Sequence, residues 1–141
     1  MTLVDTLIAR GFLKNSTDVE ALSAHLEAAP RTFYIGFDPT GDSLHIGHLL
    51  QVMVMSWFQR FGHRPIAVIG GGTAMVGDPS GKTEMREILT PDAIAHNGEC
   101  FRRQLSSFLR VSDSDEQDAG GDGSNAMLVD NAEWLRGLNY I

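Results

Sequence analysis

The sequence predicts an α/β domain with a parallel sheet, preceded by two N-terminal helices. Residues 32–37 and 64–69 have the composition of short strands, and the segment between them, residues 44–61, is an apolar helix. The second strand is apolar enough to be an internal strand of a parallel sheet. A third strand over residues 126–130 follows a long amphipathic helix, and this alternation of strands and helices favours one layered domain.

Two helices are predicted before the first strand, over residues 3–10 and 18–29. Gly11 is expected to end the first helix, and Ser16 or Thr17 is expected to cap the second. The apolar stripe along the second helix indicates a packing element that leads into the domain and carries no chemistry of its own.

The first strand presents two different faces. Side chains alternate along a strand, so Phe33, Ile35 and Phe37 share one face. Tyr34 and Gly36 fall on the other face. A glycine beside a tyrosine leaves bare backbone there, where a ligand could lie.

Turn-forming residues follow this strand, and Asp42 or Ser43 is expected to cap the next helix. His45 and His48 then lie on one side of its first turns. A helix N-terminus offers unpaired N–H groups and partial positive charge, and the two imidazoles and the Thr40 hydroxyl add hydrogen-bonding groups that suit phosphate oxygens. The alternative is that both histidines are ordinary residues near a cap, with satisfied hydrogen bonds.

The helix over residues 44–61 is apolar on nearly every side, which predicts burial. Gly62 and His63 are expected to close it as turn residues. Glycines at positions 70–72, directly after the second strand, predict a place where a ligand approaches the backbone.

Two glycine-rich segments only superficially match nucleotide motifs. Residues 70–75 have Met75 where G-x-G-x-x-G needs its last glycine, and residues 77–83 have one residue too few between their glycines for a Walker loop. Lys82 and Arg86 are predicted to share a helix face, where they could hold a multiply charged phosphate group. The alternative is two solvated cations paired with neighbouring glutamates.

The second half of the sequence predicts a helix over residues 91–111, an acidic glycine- and serine-rich loop over residues 112–125 without chemistry, and a helix that starts near Asn131. Gln104 is expected to face water. The residues of the long helix that are expected to face the core are Ile94, Phe101, Leu105, Phe108 and Leu109.

The composition, with 43% hydrophobic and 21% charged residues, is ordinary for a water-soluble globular protein. The net charge of −7 argues against a general polyanion binder, although five of the acidic residues lie within residues 113–122. The single cysteine, Cys100, excludes an internal disulfide and fits a reducing cytosol. No secretory signal is expected, because the N-terminus is too charged, and no membrane span is expected, because no apolar run approaches the length needed.

Residues 34–48, YIGFDPTGDSLHIGH, resemble the His-Ile-Gly-His signature region of class I aminoacyl-tRNA synthetases. Within that class, YIGFDPT is similar to tyrosyl-tRNA synthetases, and so are GDPSGK at residues 77–82 and Asn-x-x-Trp at residues 131–134. The resemblance covers essentially the whole sequence, but only the first part of a complete enzyme of this kind. It implies an incomplete Rossmann-like parallel sheet of the class I synthetase type.

The same resemblance divides the sequence into an N-terminal helical segment, residues 1–30, and the N-terminal part of a nucleotide-binding catalytic domain, residues 31–141. It implies ATP-dependent activation of L-tyrosine to tyrosyl-adenylate and transfer of the tyrosyl group to tRNA(Tyr). Mg²⁺ would accompany the ATP, and no dedicated protein metal site is expected. The full-length enzyme is expected to be a cytoplasmic homodimer that contacts tRNA mainly through regions absent here.

The resemblance also implies roles for individual residues. Tyr34 would bind the phenolic hydroxyl of tyrosine, with Thr73 and Asp78 at its amino end. Thr40 and His45 would hold the leaving phosphates. The implied ATP-binding residues are Gly36, Asp38, Thr40, His45, Gly47 and His48. The implied catalytic residues are Thr40, His45, His48, Lys82 and Arg86.

Lys82 and Arg86 would close over pyrophosphate in the transition state. Three positions depart from the family pattern: Ile35 and Gln51 replace residues that face the ribose, and Ala74 replaces a common glycine. The second signature loop of the family, Lys-Met-Ser-Lys-Ser, is expected beyond residue 141, so the fragment alone is expected to be inactive.

Two further interpretations remain open from the sequence. One keeps the signature and changes the substrate, giving a tryptophanyl-tRNA synthetase or a small-molecule adenylyltransferase. The other is a truncated, non-catalytic nucleotide-fold module.

Overall fold

The computed structural model describes residues 1–76, 90–111 and 123–138. Helices and strands alternate along these ranges. In chain order the elements are α1 (Leu3–Ala9), α2 (Val19–Ala28), β1 (Thr32–Phe37), α3 (Ile46–Arg60), β2 (Arg64–Ile69), α4 (Gly71–Val76), α5 (Pro91–Leu105), β3 (Met127–Asp130) and α6 (Ala132–Leu135).

The three described strands form one parallel sheet, in which β2 lies between β1 and β3. The β1–β2 register ends with Phe37 opposite Ile69, and the β2–β3 register ends with Ile69 opposite Asp130. The carboxyl ends of the strands are therefore level at one edge of the sheet. The predicted parallel sheet is confirmed, and β3 starts one residue later than expected because Ala126 forms an isolated bridge with Val111.

Two apolar clusters hold the elements together. The N-terminal helices contribute to the smaller cluster, which packs against Trp57 and Phe58 of α3. Because α3 contributes to both clusters, its sequence is apolar on more than one side. The buried residues of the main cluster are Phe37, Val52, Met55, Ala67, Ile69, Phe101, Leu105, Leu109 and Ala126.

The predicted alternation of β1 is confirmed. Phe37 is buried and Phe33 and Ile35 are half-buried against the main cluster, whereas Tyr34 and Gly36 are exposed. One face of β1 therefore belongs to the core, and the other is open.

The prediction that α3 is buried on nearly every side is wrong at its N-terminal end, where Ile46 is 82% and Leu50 54% exposed. The cap predicted for α2 is also wrong. Asp18 is the N-cap, because its carboxylate accepts the backbone N–H of Ala21 at 2.9 Å. Ser16 and Thr17 lie just before it.

The helix α5 ends at Leu105, earlier than predicted, and Phe108 is 49% exposed instead of buried. The serines that follow turn the chain: Ser106 donates its backbone N–H and its hydroxyl to the Arg102 carbonyl, at 3.0 and 2.9 Å. Leu109 then returns to the core. Within the described ranges, no helix combines the length and apolar character needed to cross a membrane.

His63 does more than close α3. Gly62, with φ of 81°, makes the turn as expected. The His63 side chain is buried, and its Nδ1 accepts the backbone N–H of Arg31 at 3.0 Å. The imidazole thus links the residue before β1 to the residue before β2, at the amino edge of the sheet.

Candidate functional site

The segments that leave the three strands meet at the carboxyl edge of the sheet. The Gly70 N–H donates to the Phe37 carbonyl at 2.8 Å, and the Asn131 N–H donates to the Ile69 carbonyl at 2.9 Å. Each strand end is thereby tied to the loop that follows its neighbour. In open parallel sheets this edge is where ligands bind.

The N-terminus of α3 is capped by histidines at this edge. His45 is the N-cap, and its Nδ1 accepts the Gly47 N–H at 3.0 Å. The Nδ1 of His48 accepts the His45 N–H at 3.1 Å. Asp42 and Ser43, the caps expected from the sequence, lie outside the helix, so that prediction is wrong. We call this pair of residues, His45 and His48, the histidine cap.

The two hydrogen bonds define which nitrogen of each ring is available. An Nδ1 that accepts a backbone N–H carries no proton, so in the neutral ring the proton is on Nε2. The rings of His45 and His48 stack with their centroids 3.8 Å apart and a 20° angle between their planes. The cap therefore presents two parallel imidazoles that can each donate an Nε2–H to a ligand.

The pKa of His48 is lowered, first by burial and second by the neighbouring His45, against an opposing effect of Asp38. The ring packs between Phe37 and Phe101, at 5.9 Å from each ring centroid. His48 is therefore neutral at pH 7, in the protonation state that its hydrogen bond requires. These contacts also fix the cap against the end of β1.

Gly47 has a steric reason to be glycine. A Cβ at this position would lie 2.8 Å from Cε1 and 3.0 Å from Nδ1 of His45. The His45 ring can fold back over the first turn of the helix because no side chain occupies that space.

The open face of β1 lies directly before the cap in the chain. Tyr34 is 74% exposed, and among the described residues, apart from the chain neighbours of Gly36, no atom lies within 4 Å of the position that a Cβ on Gly36 would take. Asp38 and Thr40 follow in the exposed turn, where the Thr40 N–H donates to the Asp38 carbonyl at 2.9 Å. Bare backbone, a carboxylate and a hydroxyl are therefore available along one stretch of chain.

The glycines after β2 make close contacts with protein groups. The N–H groups of Gly71 and Gly72 donate to the side chains of Asp130 and Asn131, at 3.1 and 2.7 Å. A Cβ on Gly71 would collide with the Asp130 carboxylate. The glycines predicted a place where a ligand approaches the backbone. At Gly71 and Gly72, the groups that approach are instead side chains between β3 and α6.

Thr73 joins the same contact between the glycines and the segment that links β3 to α6. Its hydroxyl donates to the Gly70 carbonyl at 3.0 Å and accepts from the Asn131 side chain at 3.4 Å. The sequence predicted only the start of a helix near Asn131, and the glycines at positions 70–72 were the available signal of this contact. Of the remaining predicted site residues, Asp78, Lys82 and Arg86 lie outside the described residues.

A parallel sheet with a histidine-capped helix after its first strand defines a Rossmann-like domain of the class I synthetase type. Residues 26–141 match the family model of tRNA synthetases class I (W and Y). The chain belongs to this family.

The chain is similar to curated tyrosine–tRNA ligases. It is 52% identical to the enzyme of Acetivibrio thermocellus over 140 residues, which cover 99% of this chain and 32% of the relative. Identity to tyrosine–tRNA ligase 1 of Clostridium acetobutylicum is 52% over 139 residues, again 99% of this chain and 32% of the relative. The chain therefore spans 32% of the length of these relatives.

Two solved structures are similar in fold. One is a C-terminally truncated mitochondrial tyrosyl-tRNA synthetase of Coccidioides posadasii, with a TM-score of 0.72, 30% identity, and coverage of 99% of this chain and 38% of that one. The other is the corresponding truncated enzyme of Aspergillus nidulans, with a TM-score of 0.76, 25% identity, and coverage of 98% and 39%.

Proposed function

We propose that the complete protein is a tyrosine–tRNA ligase, which activates L-tyrosine with ATP and transfers the tyrosyl group to tRNA(Tyr). The observation that carries the proposal is the histidine cap, in which both Nδ1 atoms accept backbone N–H groups. The proton of each neutral ring is therefore on Nε2, which makes that atom the donor. Identity of 52% to tyrosine–tRNA ligases supports tyrosine over other amino acids as the substrate.

In the first step, the tyrosine carboxylate attacks the α-phosphate of ATP, and pyrophosphate leaves with the electron pair of the broken bond. Negative charge grows on the leaving phosphates in the transition state. Donors that are already in place stabilise this charge without reorganisation. We assign that task to the Thr40 hydroxyl and to the Nε2–H of His45, with His48 beside the nucleotide and Lys82 and Arg86 completing the phosphate site.

The open face of β1 suits the rest of the adenylate. The bare backbone at Gly36 and the neighbouring Asp38 would lie along the nucleotide. Gly47, which has no side chain, would let the histidine cap approach the nucleotide. Tyr34 would hydrogen-bond the phenolic hydroxyl of the substrate, and Thr73 with Asp78 would bind its amino end. A substrate without that hydroxyl would leave a polar group of the pocket unpaired, which costs binding free energy.

Other parts of the function extend past this chain. Mg²⁺ would arrive on the ATP phosphates. We assign residues 1–30 to a supporting helical segment and residues 31–141 to part of the catalytic domain. The complete protein would be a homodimer that charges tRNA in the cytoplasm, with most tRNA contacts outside this chain.

Exchange of labelled pyrophosphate into ATP tests the proposal. The full-length protein that contains this chain should catalyse exchange with tyrosine, and much more slowly with phenylalanine or tryptophan. Exchange with tryptophan and none with tyrosine would reject the assignment. Replacement of the exposed His25 by Gln is a matched control and should leave exchange unchanged, because His25 lies on α2, away from the cap.

A further inference from the structure

We propose that Gln104, on α5, is a positioning residue that sets the place of the histidine cap by holding the loop between β1 and α3. We call residues 38–44 the cap loop. What the cap does for catalysis rests on the proposed function, whereas the contact itself rests on the geometry below.

The Gln104 carboxamide uses both of its ends on the cap loop. Its Oε1 accepts the backbone N–H of Leu44 at 3.0 Å and the Ser43 hydroxyl at 3.4 Å. Its Nε2 donates to the Asp42 carbonyl at 3.2 Å and to the Cys100 carbonyl of its own helix at 3.2 Å. Leu44 directly precedes the N-cap His45, so the amide plane fixes the backbone from which the cap begins. The sequence-based expectation that Gln104 only faces water is therefore wrong.

A second amide on the same helix holds the other end of the cap loop. The Asn97 Nδ2 donates to the Pro39 carbonyl at 2.9 Å, in a buried contact. Asn97 and Gln104 are seven residues apart, close to two helical turns, so both side chains lie on one face of α5. The helix thus binds the cap loop at both ends, beside Asp38 through the Asn97 amide and beside His45 through the Gln104 amide.

The cap loop depends on such contacts because most of its residues are exposed. Gly41 is exposed, and no atom of the described ranges outside its chain neighbours lies within 4 Å of the position that a Cβ on Gly41 would take. Thr40, Asp42 and Ser43 are exposed as well. Pro39 is buried and Leu44 packs against the main cluster, so apolar contacts hold the loop at two points. The exposed residues between them depend on hydrogen bonds, and the Gln104 amide supplies these at the C-terminal end of the loop.

Loss of the Gln104 amide would affect catalysis through His45. A displacement of about 1 Å in a group that stabilises the transition state can lower a rate by about 10²-fold. The fold would survive, because the main cluster includes the neighbouring Leu105 and does not include Gln104. We therefore expect an effect on the chemical step that exceeds the effect on stability.

The first test measures the cap itself and needs no catalysis. In the protein labelled with ¹³C-histidine, the Cε1–H signals of His45 and His48 are followed through a pH titration. In Gln104→Leu, the pKa of His48 should rise from its lowered value. Burial and the neighbouring His45 ring lower this pKa and Asp38 opposes them, so a displaced ring should lose part of the lowering. The matched control is Gln59→Leu, which removes another carboxamide that bonds backbone groups far from the cap loop.

The control is close in chemistry. Gln59 accepts the Arg110 N–H at 2.9 Å and donates to the carbonyls of Arg110 and Ser124, both at 2.8 Å. Its variant should lower stability at least as much as Gln104→Leu, because Gln59 is buried. Gln59→Leu should leave the signals of His45 and His48 unchanged. If Gln104 had a purely structural role, Gln104→Leu would leave these signals unchanged as well.

The second test is kinetic. In pyrophosphate exchange by the full-length protein, Gln104→Leu should lower kcat by about 10- to 100-fold with the KM for tyrosine within about twofold of wild type. Gln104→Glu keeps an oxygen for the Leu44 N–H and loses the donor to Asp42, so it should recover part of kcat. If the leucine variant does not fold, the glutamate variant carries both tests.

The outcomes separate the two proposals. Cap signals that move in the Gln104 variants and stay in Gln59→Leu support the positioning role. Wild-type titration together with wild-type kcat in the Gln104 variants overturns it. Absence of tyrosine-dependent exchange in the wild type overturns the proposed function, and the titration still decides whether Gln104 positions the cap.

Discussion

His63 and the histidine cap lie at opposite edges of the sheet and use the same hydrogen bond for different purposes. In both places an imidazole Nδ1 accepts a backbone N–H. His63 accepts the N–H of Arg31 at 3.0 Å, and His48 accepts the N–H of His45 at 3.1 Å. His63 is only 4% exposed, at the amino edge where the strands begin. His48 is half-buried and His45 exposed, at the carboxyl edge where ligands bind such sheets.

A histidine with a lowered pKa is therefore not by itself a functional histidine. Burial is the largest cause that lowers the pKa of both His48 and His63, and Arg31 adds to the effect at His63. What differs is the second ring nitrogen. At the carboxyl edge it belongs to an exposed ring in His45 and a half-buried ring in His48, whereas the His63 ring is only 4% exposed. The following changes test this division between a catalytic and a structural histidine.

Replacement of His45 by Ala should give the largest effect, on activity. Removal of one donor that stabilises developing negative charge lowers kcat by about 10²- to 10³-fold. The lost cap should lower the free energy of unfolding by only about 1 kcal/mol. Pyrophosphate exchange and urea denaturation of the same preparation measure the two effects, and a variant that loses stability in proportion to activity would contradict the division.

Replacement of His63 by Ala should show the opposite pattern. The Arg31 N–H would be left without its buried acceptor, which costs about 1 to 3 kcal/mol of unfolding free energy. The kcat for exchange should stay within about twofold of wild type below the unfolding transition, since a surviving fold keeps the cap intact. His25→Ala, an exposed histidine on α2, is the control and should change neither quantity.

The fold could be read from the sequence where local periodicity decides it. The alternation in β1 and the apolar character of β2 are properties of neighbouring residues, and the structure confirms both. Phe108 shows the limit: helical periodicity placed it in the core, but the chain leaves the helix at Ser106 and the ring is 49% exposed.

The site could be predicted only in part, for the same reason. The motif located the histidines, but the turn residues before them predicted Asp42 or Ser43 as the cap in place of His45. The backbone just before the observed cap is held by Gln104, which lies 60 residues from Leu44 in sequence and accepts the Leu44 N–H. Contacts at such separation leave no local pattern. The roles of individual residues, including Asp78, Lys82 and Arg86 outside the described ranges, stay predictions.

Replacement of Gly47 by Ala should lower activity without lowering stability, and the loss of activity should be smaller than in His45→Ala. The new Cβ would displace the His45 ring, whose Cε1 lies 2.8 Å away, and we expect kcat to fall about tenfold. Because the displaced atoms belong to an exposed side chain, and alanine favours the helix, the free energy of unfolding should stay within about 0.5 kcal/mol or rise. A fall in stability together with unchanged exchange would show that the ring does not need this space.

The pH dependence of stability should give the smallest effect, and it compares the contributions of His48 and His63 to the free energy of unfolding directly. The folded-state pKa of both His48 and His63 is lowered, so between that value and the ordinary value of about 6.5 the unfolded chain binds more protons. The stability contributed by each ring is therefore present above about pH 6.5 and is lost as the pH falls through this window. Protonation at Nδ1 breaks the hydrogen bond from Arg31 or from His45.

Urea denaturation at about pH 7.5 and about pH 5.5 measures this loss. His63→Gln should remove the larger part of the difference between the two conditions, because its ring is almost completely buried. His48→Gln should remove a smaller part, because its ring is half-exposed and the protonated form is better hydrated. A larger effect from His48 than from His63 would mean that the cap, and not the buried link between the strand starts, carries the acid sensitivity of the fold.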